Sequence, residues 1–313
     1  MVRGTSILLL SAALVSGTTA RDVPANVKAL YEWIRYQGKC RYVLAGGFHS
    51  LERDHGNFDY CGDRLKEDKV LYIQGKQGNL PNMDIDCDGI QLSPADDGRC
   101  GSSTDMQSVT SFADILRSYS TNARDLDANI HPYVVFGNKG TREGYKTFDP
   151  RKYGVEPLSV MAVVCNNKLI YGVWGDEHGD DDPQAMVGEA SISLATACYG
   201  KSTGGDIGYD GNDVLYLAFQ GKDAVPGARG ANWTAQSYEA FAASISSLGD
   251  ELVGRIKGDK PAKRHDEGSF SLTFFPSHKK VSMHSGGGCK EWKEKAWVYT
   301  DIGEQDVFFS IFV

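Results

Sequence analysis

Leu158-Ser-Val-Met-Ala-Val-Val-Cys165-Asn-Asn-Lys-Leu-Ile-Tyr-Gly-Val-Trp174 contains two apolar runs joined by a pair of asparagines. Both runs are rich in β-branched and aromatic side chains, which favour strands. Asparagine tolerates the positive φ that a two-residue turn between antiparallel strands requires. The stretch therefore predicts a β-hairpin, which would carry Asp176 to the end of a rigid strand.

A run of acids follows this hairpin. It contains Asp176, Glu177 and Asp180–Asp182, and Glu189 stands alone where the next apolar segment begins. Asp176 and Glu189 can face one groove, and hydrolysis of a glycosidic bond needs such a pair of carboxyl groups. We expect Asp180–Asp182 to raise the pKa of a neighbouring acid by like-charge repulsion. A solvated acidic loop is the alternative interpretation.

Aromatic side chains flank these acids. Tyr171, Trp174 and Tyr199 offer flat apolar faces of the kind on which sugar rings stack. We expect Tyr171, Trp174 and Glu177 to contact the substrate.

The segment Asn82–Gly89 has an acid at every second position. Its apolar residues alternate with Asp84, Asp86 and Asp88, and a period of two places these three carboxylates on one surface of a strand. Solvated acids, a subsite for a cationic ligand and a metal site all remain open. The pattern resembles the start of a calcium loop, but Ala95 occupies the position of the closing acid and cannot coordinate a metal.

Other kinds of active centre find no support in the sequence. No pair of histidines has helical metal-ligand spacing, and there is no Gly-x-Ser-x-Gly motif. Ala195–Ser202 loosely matches a phosphate loop, but Gly-rich sequence rather than a helix follows it. His178, close to Asp176, is most simply a surface histidine. We expect no metal and no cofactor.

The first twenty residues are typical of a secretory signal. Arg3 precedes the apolar run Ile7–Val15, and Thr18-Thr-Ala20 supplies small residues for cleavage. The run is too short to cross a membrane. We expect residues 1–20 to be removed and the mature protein to be secreted and extracellular.

Seven cysteines agree with this expectation, because disulfides are the default outside the cell. Proximity along the chain suggests the pairs Cys40–Cys61 and Cys87–Cys100, although sequence alone does not fix connectivity. An odd count leaves one cysteine unpaired, and Cys165 in its apolar strand is a candidate for a buried free thiol. Asn232-Trp-Thr234 is a glycosylation motif.

The composition is that of an acidic globular protein. The formal net charge of the 313 residues is −8, and loss of residues 1–20, with one Arg and no acid, makes it −9. This charge argues against nucleic acid and anionic membranes as partners. It is consistent with solubility alone or with attraction to a cationic ligand.

Helices are indicated at four places. Asp22–Tyr36 has an apolar face, with Asp22 as its N-cap and Gly38 as its terminator. Thr234–Val253 has the clearest helical spacing, and Val109–Tyr119 and Ala190–Cys198 favour shorter helices.

Short strands outnumber these helices. Besides the hairpin, they are indicated at Val70–Ile73, His131–Phe136 and Asp213–Phe219. No regular alternation of strand and helix suggests a parallel α/β sheet. We predict an α+β fold, mainly β: a single compact domain with a β-barrel-like core and a few flanking helices.

The composition changes after Ile256. A polar, charged linker, Lys257–His265, precedes the apolar, β-like segments Ala296–Tyr299 and Val307–Val313. We therefore expect a catalytic domain over residues 21–254 and a linker with a C-terminal extension of unknown role over residues 255–313. The extension forms either a small extra strand layer or no ordered structure.

Long motifs resemble one known family. Tyr171-Gly-Val-Trp-Gly-Asp-Glu177 and Met186-Val-Gly-Glu-Ala-Ser-Ile-Ser-Leu-Ala-Thr-Ala-Cys198 resemble the signature of the fungal chitosanases of glycoside hydrolase family 75. Asn82–Gly89 and Asp213–Phe219 are also similar to that family. The match covers roughly Leu30–Val253.

This resemblance implies a secreted endo-hydrolase that cleaves the β-1,4 links of chitosan with inversion, using Asp176 and Glu189. We assign Glu189 as the acid and Asp176 as the base, and the sequence leaves the reverse order open. Asp84, Asp86 and Asp88 would then bind the substrate or shape the site. Chitosan is a polycation in mild acid, which would explain the acidic balance. We expect a monomer.

Two alternatives remain. A secreted polysaccharide-binding protein without catalysis would share the acidic groove. A calcium-stabilised structural protein could be built on Asp84–Asp88.

Overall fold

The computed structural model of the chain describes residues 21–104, 106–180 and 183–258, and the backbone of two further strands, 295–301 and 306–312. The expected secretory signal over residues 1–20 lies outside the described residues, as does Cys289. The backbone of the C-terminal extension contains an antiparallel pair, β11 and β12, Lys295–Asp301 and Asp306–Phe312. The rest of that extension beyond residue 258 lies outside the described residues.

Most of the described chain is organised around one sheet. In chain order its strands, β1 to β10, are Arg21–Asp22, Val43–Phe48, Phe58–Cys61, Val70–Gln74, Asp84–Asp86, Tyr133–Asn138, Val160–Cys165, Lys168–His178, Glu189–Ser191 and Leu215–Phe219. The spatial order is β2-β3-β4-β10-β7-β8-β6-β9-β5, and β1 pairs with β8. Five helices, α1 to α5, accompany it: Ala25–Gln37, Ala113–Ser118, Ile192–Tyr199, Gly227–Gly230 and Tyr238–Gly254. The prediction of an α+β, mainly β fold is confirmed.

The sheet curls into a half-barrel. The Tyr60 hydroxyl of β3 donates to Asn138 Oδ1 at 2.9 Å and accepts from Gly137 N–H at 3.0 Å, although β3 and β6 are far apart in the strand order. His49, directly after β2, bridges to Met186, close to β9. These contacts require the two ends of the sheet to approach each other, as the predicted barrel-like core implies.

The predicted hairpin is present as β7 and β8. Its strands pair from Val160↔Val173 to Cys165↔Lys168. Asn166 and Asn167 have φ of 47° and 57°, the left-handed values that the two-residue turn requires. The prediction of a free thiol at Cys165 is wrong, because Cys165 forms a disulfide with Cys198. The predicted pairs Cys40–Cys61 and Cys87–Cys100 are confirmed.

The helices follow their sequence patterns with shifted starts. Gly38, with φ of 78°, ends α1 as predicted, but Pro24 rather than Asp22 is its N-cap, because Asp22 belongs to β1. The long helix α5 packs against β7 and β8. None of the helices among the described residues is long and apolar enough to cross a membrane.

Candidate active site

Asp176 and Glu189 lie on two strands that flank the same neighbour. Val135 of β6 pairs with Asp176 of β8 on one side and with Glu189 of β9 on the other. Glu189 pairs in turn with Asp84 of β5. All four residues line one cavity of about 610 Å³. Two strand spacings separate the Cα atoms of Asp176 and Glu189, which is about 9.5 Å in an ordinary sheet.

A β-bulge at Gly175 brings Asp176 into this row. The register shifts by one residue between Val134↔Trp174 and Val135↔Asp176, so Gly175 is an extra residue on β8. Strict alternation would have put Asp176 on the same face as Trp174, which is fully buried. Bulges are common next to active sites because they redirect a side chain in this way.

Glycine is required at the bulge. A Cβ atom on Gly175 would lie 2.6 Å from both Leu126 Cδ1 and Tyr133 Cβ, closer than side-chain atoms ever pack. The sequence gives no sign of the bulge, since Gly175 is also compatible with a regular strand end.

The cavity is strongly acidic. Seven of its lining residues carry a carboxyl group, against one arginine and one histidine. The lining consists of Glu52, Arg53, Asp84, Asp86, Asp88, Gln107, Val135, Tyr145, Asp176, Glu177, His178, Gly179, Pro183, Gln184, Met186 and Glu189. Asp84, Asp86 and Asp88 were predicted to share one surface of a strand, and all three lie along one wall of the cavity. The strand β5 itself ends at Asp86.

Hydrogen bonds fix the acids of this wall. Asp86 Oδ1 accepts from the Tyr133 hydroxyl at 2.9 Å and from Asp88 N–H at 2.6 Å. Asp88 Oδ1 accepts from Gln107 N–H at 2.6 Å. The disulfide from Cys87, between these two acids, attaches the same segment to the following loop. Burial raises the pKa of Asp84 to about 6.

The carboxylate of Asp176 is anchored through one oxygen. Its Oδ1 accepts from Ser111 N–H at 3.1 Å, Ser111 Oγ–H at 2.5 Å and Glu177 N–H at 2.7 Å. Its Oδ2 is buried and has no hydrogen-bond partner among the described residues. Burial and the neighbouring charge of Asp86 raise the pKa of Asp176 to about 7, against the opposing effect of the Ser111 hydrogen bond.

Glu189 has a different environment. Its Oε2 lies 3.3 Å from His178 Nδ1, and its side chain keeps 26% of its surface exposed. Burial raises the pKa of Glu189 well above its usual range, and Asp86, Asp84, Asp88 and Asp176 raise it further. A carboxyl group that stays protonated is what a general acid requires.

Asp180 is not the source of like-charge repulsion that the sequence predicts. Among the described carboxylates, Asp86 acts most strongly on both Asp176 and Glu189. The Asp180 carboxylate instead accepts from the backbone N–H groups of Thr141 and Arg142, so it fixes a loop. Asp181 and Asp182 lie outside the described residues.

Glu177, which is predicted to contact the substrate, lines the cavity but already has charged partners. Its side chain is fully buried, and its carboxylate forms ion pairs with Lys139 at 2.7 Å and Arg151 at 3.2 Å. Two cations therefore already neutralise Glu177.

The aromatic rings that were expected to stack on sugars do not face the cavity. Trp174 is fully buried against Phe112, and its indole N–H donates to the Asp176 carbonyl at 2.9 Å. Tyr171 is 5% exposed and its hydroxyl donates to Asp250 on α5 at 2.9 Å. Neither ring can reach a sugar. Tyr199 stacks on Tyr209 and does not line the cavity.

Four residues of the site were missed from the sequence. Ser111 and Tyr133 hold acids of the cavity wall, while His178 and Tyr145 line the cavity. His178 is two residues after Asp176 on the same strand, and this spacing could have placed it beside the candidate pair.

One group of acids could hold a metal ion. Oxygen atoms of Asp86, Asp88 and Asp176 lie within 4.8 Å of one another, and carboxylates suit oxygen-preferring cations such as Ca²⁺. A second group, Cys40, Cys61 and Asp63, has the same proximity, but its cysteines are joined in a disulfide.

Comparison with known proteins gives consistent matches. The family model for fungal chitosanases of glycosyl hydrolase group 75 matches residues 83–255, which include every cavity acid named above except Glu52. Endo-chitosanase B of Aspergillus oryzae is 47% identical, an endo-chitosanase of Aspergillus oryzae is 45% identical and an endo-chitosanase of Aspergillus fumigatus is 44% identical. Each alignment spans 251 residues, 80% of this chain and 98% of the relative.

Proposed function

The chain belongs to the fungal chitosanases of glycosyl hydrolase group 75, and from this premise we propose that it is an endo-chitosanase that cleaves β-1,4 links with inversion. Asp176 is the general base and Glu189 is the general acid. The domain over residues 21–254 carries the activity. Residues 1–20 direct the chain out of the cell, where it acts as a monomer.

One observation carries this proposal: Asp176 and Glu189 flank Val135 in the floor of an acidic cavity. An inverting glycosidase needs its two carboxyl groups about 6.5–9.5 Å apart, so that a water molecule fits between one of them and the sugar. The intervening strand β6 supports such a separation, because it places the two backbones two strand spacings apart, whereas residues on adjacent strands would be closer.

The hydrogen bonds support the assignment of roles. Three donors on Asp176 Oδ1 favour the ionised carboxylate, and Oδ2 is left to accept a proton from water. Glu189 accepts no such donors from the backbone of the described residues and is surrounded by four acids. Its protonated form is therefore favoured, and it can donate to the oxygen of the leaving sugar.

The reaction then follows from the two positions. Glu189 transfers its proton to the glycosidic oxygen while Asp176 removes a proton from a water molecule on the opposite face of the sugar ring. The water oxygen bonds to the anomeric carbon as the link to the leaving oxygen breaks. The configuration inverts, and the products are two shorter chains.

The acidic wall supports chitosan as the substrate. Asp84, Asp86 and Asp88 lie along the cavity and complement the ammonium groups of a glucosamine polymer. The same wall would disfavour anionic polysaccharides.

The test uses Asp176→Asn and Glu189→Gln, which keep the size of each side chain. Each variant should fold normally and lose at least about a hundredfold in the rate at which chitosan viscosity falls. Full activity in either variant would contradict the proposal. Chitosan binding by the unchanged protein without any fall in viscosity would indicate a polysaccharide-binding protein instead.

A further inference from the structure

We propose that Arg53 makes one position in the cavity prefer an N-acetylglucosamine unit over a glucosamine unit, an inference that rests on the proposed function. Among the described residues that line the cavity, Arg53 is the only arginine, whereas seven others carry a carboxyl group. Arg53 is exposed, and it has neither a hydrogen-bond partner nor an ion-pair partner among the described residues. Its positive charge is therefore left to act on the unit of the substrate that lies beside it.

A short loop after β2 holds Arg53 at the cavity. The Asp54 carboxylate fixes this loop, because it accepts from the backbone N–H groups of Ser50 at 2.6 Å, Leu51 at 3.0 Å and Gly56 at 2.8 Å. These bonds reach residues on both sides of Arg53 in the chain. The backbone that carries Arg53 consequently has a defined shape before any substrate arrives, which suits a residue that selects between ligands.

The chain segment beside this loop offers groups that suit an acetamide. His49, directly before the loop, donates its backbone N–H to the Ala185 carbonyl at 2.9 Å, and its own carbonyl accepts from Val187 N–H at 2.8 Å. The residues on either side of Ala185 are Gln184 and Met186, which are half-buried and line the cavity. The amide of Gln184 can donate to a carbonyl oxygen, and Met186 offers an apolar surface to a methyl group.

The two kinds of sugar unit differ in charge at this position. Glucosamine carries an ammonium group in mild acid, which the Arg53 guanidinium repels. The acetamide of an N-acetylated unit is neutral, and its carbonyl oxygen can accept from the guanidinium. Asp84, Asp86 and Asp88 have the opposite preference and attract the ammonium. Glu52, the neighbour of Arg53, interacts electrostatically with Asp84 and so adds to this acidic wall. The cavity therefore distinguishes sugar units by their position along the bound chain.

The test is a brief digest of partly N-acetylated chitosan. Mass spectrometry of end-labelled products shows which positions next to the cleaved bond hold acetylated units. In the wild type we expect one position to be enriched in acetylated units about twofold to fivefold over the starting polymer, the effect of one exposed charge contact. Arg53→Gln should remove most of this enrichment. Arg53→Glu should turn it into depletion, because a carboxylate attracts the ammonium group.

Two further variants show whether the charge in the cavity is responsible. Arg53→Lys keeps the charge and should keep most of the enrichment. Arg41→Gln is the matched control, because Arg41 is exposed and does not line the cavity. It changes the net charge of the protein as Arg53→Gln does and should leave the enrichment at the wild-type level. With a fully deacetylated chito-oligosaccharide, KM should be lower in Arg53→Glu than in the wild type.

The outcomes separate this inference from the proposed function. Acetylated units distributed at random around the cleaved bonds of the wild-type digest would overturn the inference, as would an enrichment that Arg53→Glu leaves unchanged. An equal loss in Arg41→Gln would also overturn it, because the effect would then come from net charge alone. In each of these cases chitosan is still cleaved, so the proposed function stands. If the wild type releases no products, the proposed function fails, and this inference fails with it.

Discussion

Asp176 and Glu189 share Val135 as their register partner, so the sheet itself sets the distance between them. Neither carboxylate depends on the acidic loop after β8 for its position. Strands joined by ladder hydrogen bonds keep their spacing more strictly than loops do, which suits a reaction that has to fit a water molecule between two groups.

The bulge at Gly175 should be essential for activity. In Gly175→Ala the added Cβ would meet Leu126 and Tyr133, and relief of that contact would move Asp176 out of its row. We expect kcat to fall at least about a hundredfold and the free energy of unfolding to drop by about 1–3 kcal/mol. Gly101→Ala is the control, because nothing lies within 4 Å of its added Cβ. Activity equal to the wild type in Gly175→Ala would show that the bulge does not position Asp176.

Ser111 should set the ionisation of Asp176. Its hydroxyl donates to Asp176 Oδ1 and lowers the pKa of that carboxyl, so Ser111→Ala should raise the pKa. The acidic limb of the kcat/KM profile should then move to higher pH, and kcat should fall about tenfold. Ser111→Thr keeps the donor and should restore the profile. An unmoved acidic limb in Ser111→Ala would argue against Asp176 as the base.

Asp86 and Asp84 should act differently on the pH profile. Asp86 raises the pKa of both Asp176 and Glu189, whereas Asp84 raises that of Glu189. Asp86→Asn should therefore move both limbs of the kcat/KM profile to lower pH, and Asp84→Asn should move the alkaline limb alone. Soluble chito-oligosaccharides serve as the common substrate. Equal shifts of the acidic limb in both variants would contradict the electrostatic description of the site.

Stability should decrease as pH rises through the acidic range. The folded-state pKa of Asp176 is about 7 and that of Asp84 about 6, both above the value of about 4 expected in the unfolded chain. Between about pH 4 and 7 the folded protein therefore binds more protons than the unfolded chain. The stability that these two carboxyl groups contribute is lost as pH rises through that range. Tm should fall from pH 4.5 to 7.

Asp176→Asn should flatten this dependence, because the amide does not titrate. Asp97→Asn is its control: Arg99 holds the pKa of Asp97 below its usual value, so Asp97 affects stability only at lower pH. A Tm that rises from pH 4.5 to 7 in the wild type would contradict the raised pKa values.

Elements whose side chains repeat at a regular spacing were predictable from the sequence. The hairpin, α5 and the alternating acids of Asn82–Gly89 all follow from side chains repeated at strand or helix spacing. The two asparagines of the turn show their backbone conformation directly, because few other residues accept it.

Features that depend on pairing between distant strands were not predictable. The bulge at Gly175 exists only relative to β6, and alternation alone gives the wrong face for Asp176. The burial of Trp174 and Tyr171 was not predictable for the same reason. Trp174 packs against Phe112, which directly precedes α2, and the Tyr171 hydroxyl bonds to Asp250 of α5. The same reason applies to Cys165, whose partner comes from α3.

The anomeric form of the first product tests the central claim most directly. Chitosan or a long chito-oligosaccharide is digested in an NMR tube, and the new reducing ends are recorded within the first minutes, before the anomers equilibrate. If Asp176 and Glu189 are far enough apart to admit a water molecule, the reaction inverts the anomeric carbon. The α-anomer should then be released first from the β-1,4 substrate. Initial release of the β-anomer would require a covalent intermediate and would contradict the two-carboxylate geometry proposed for this site.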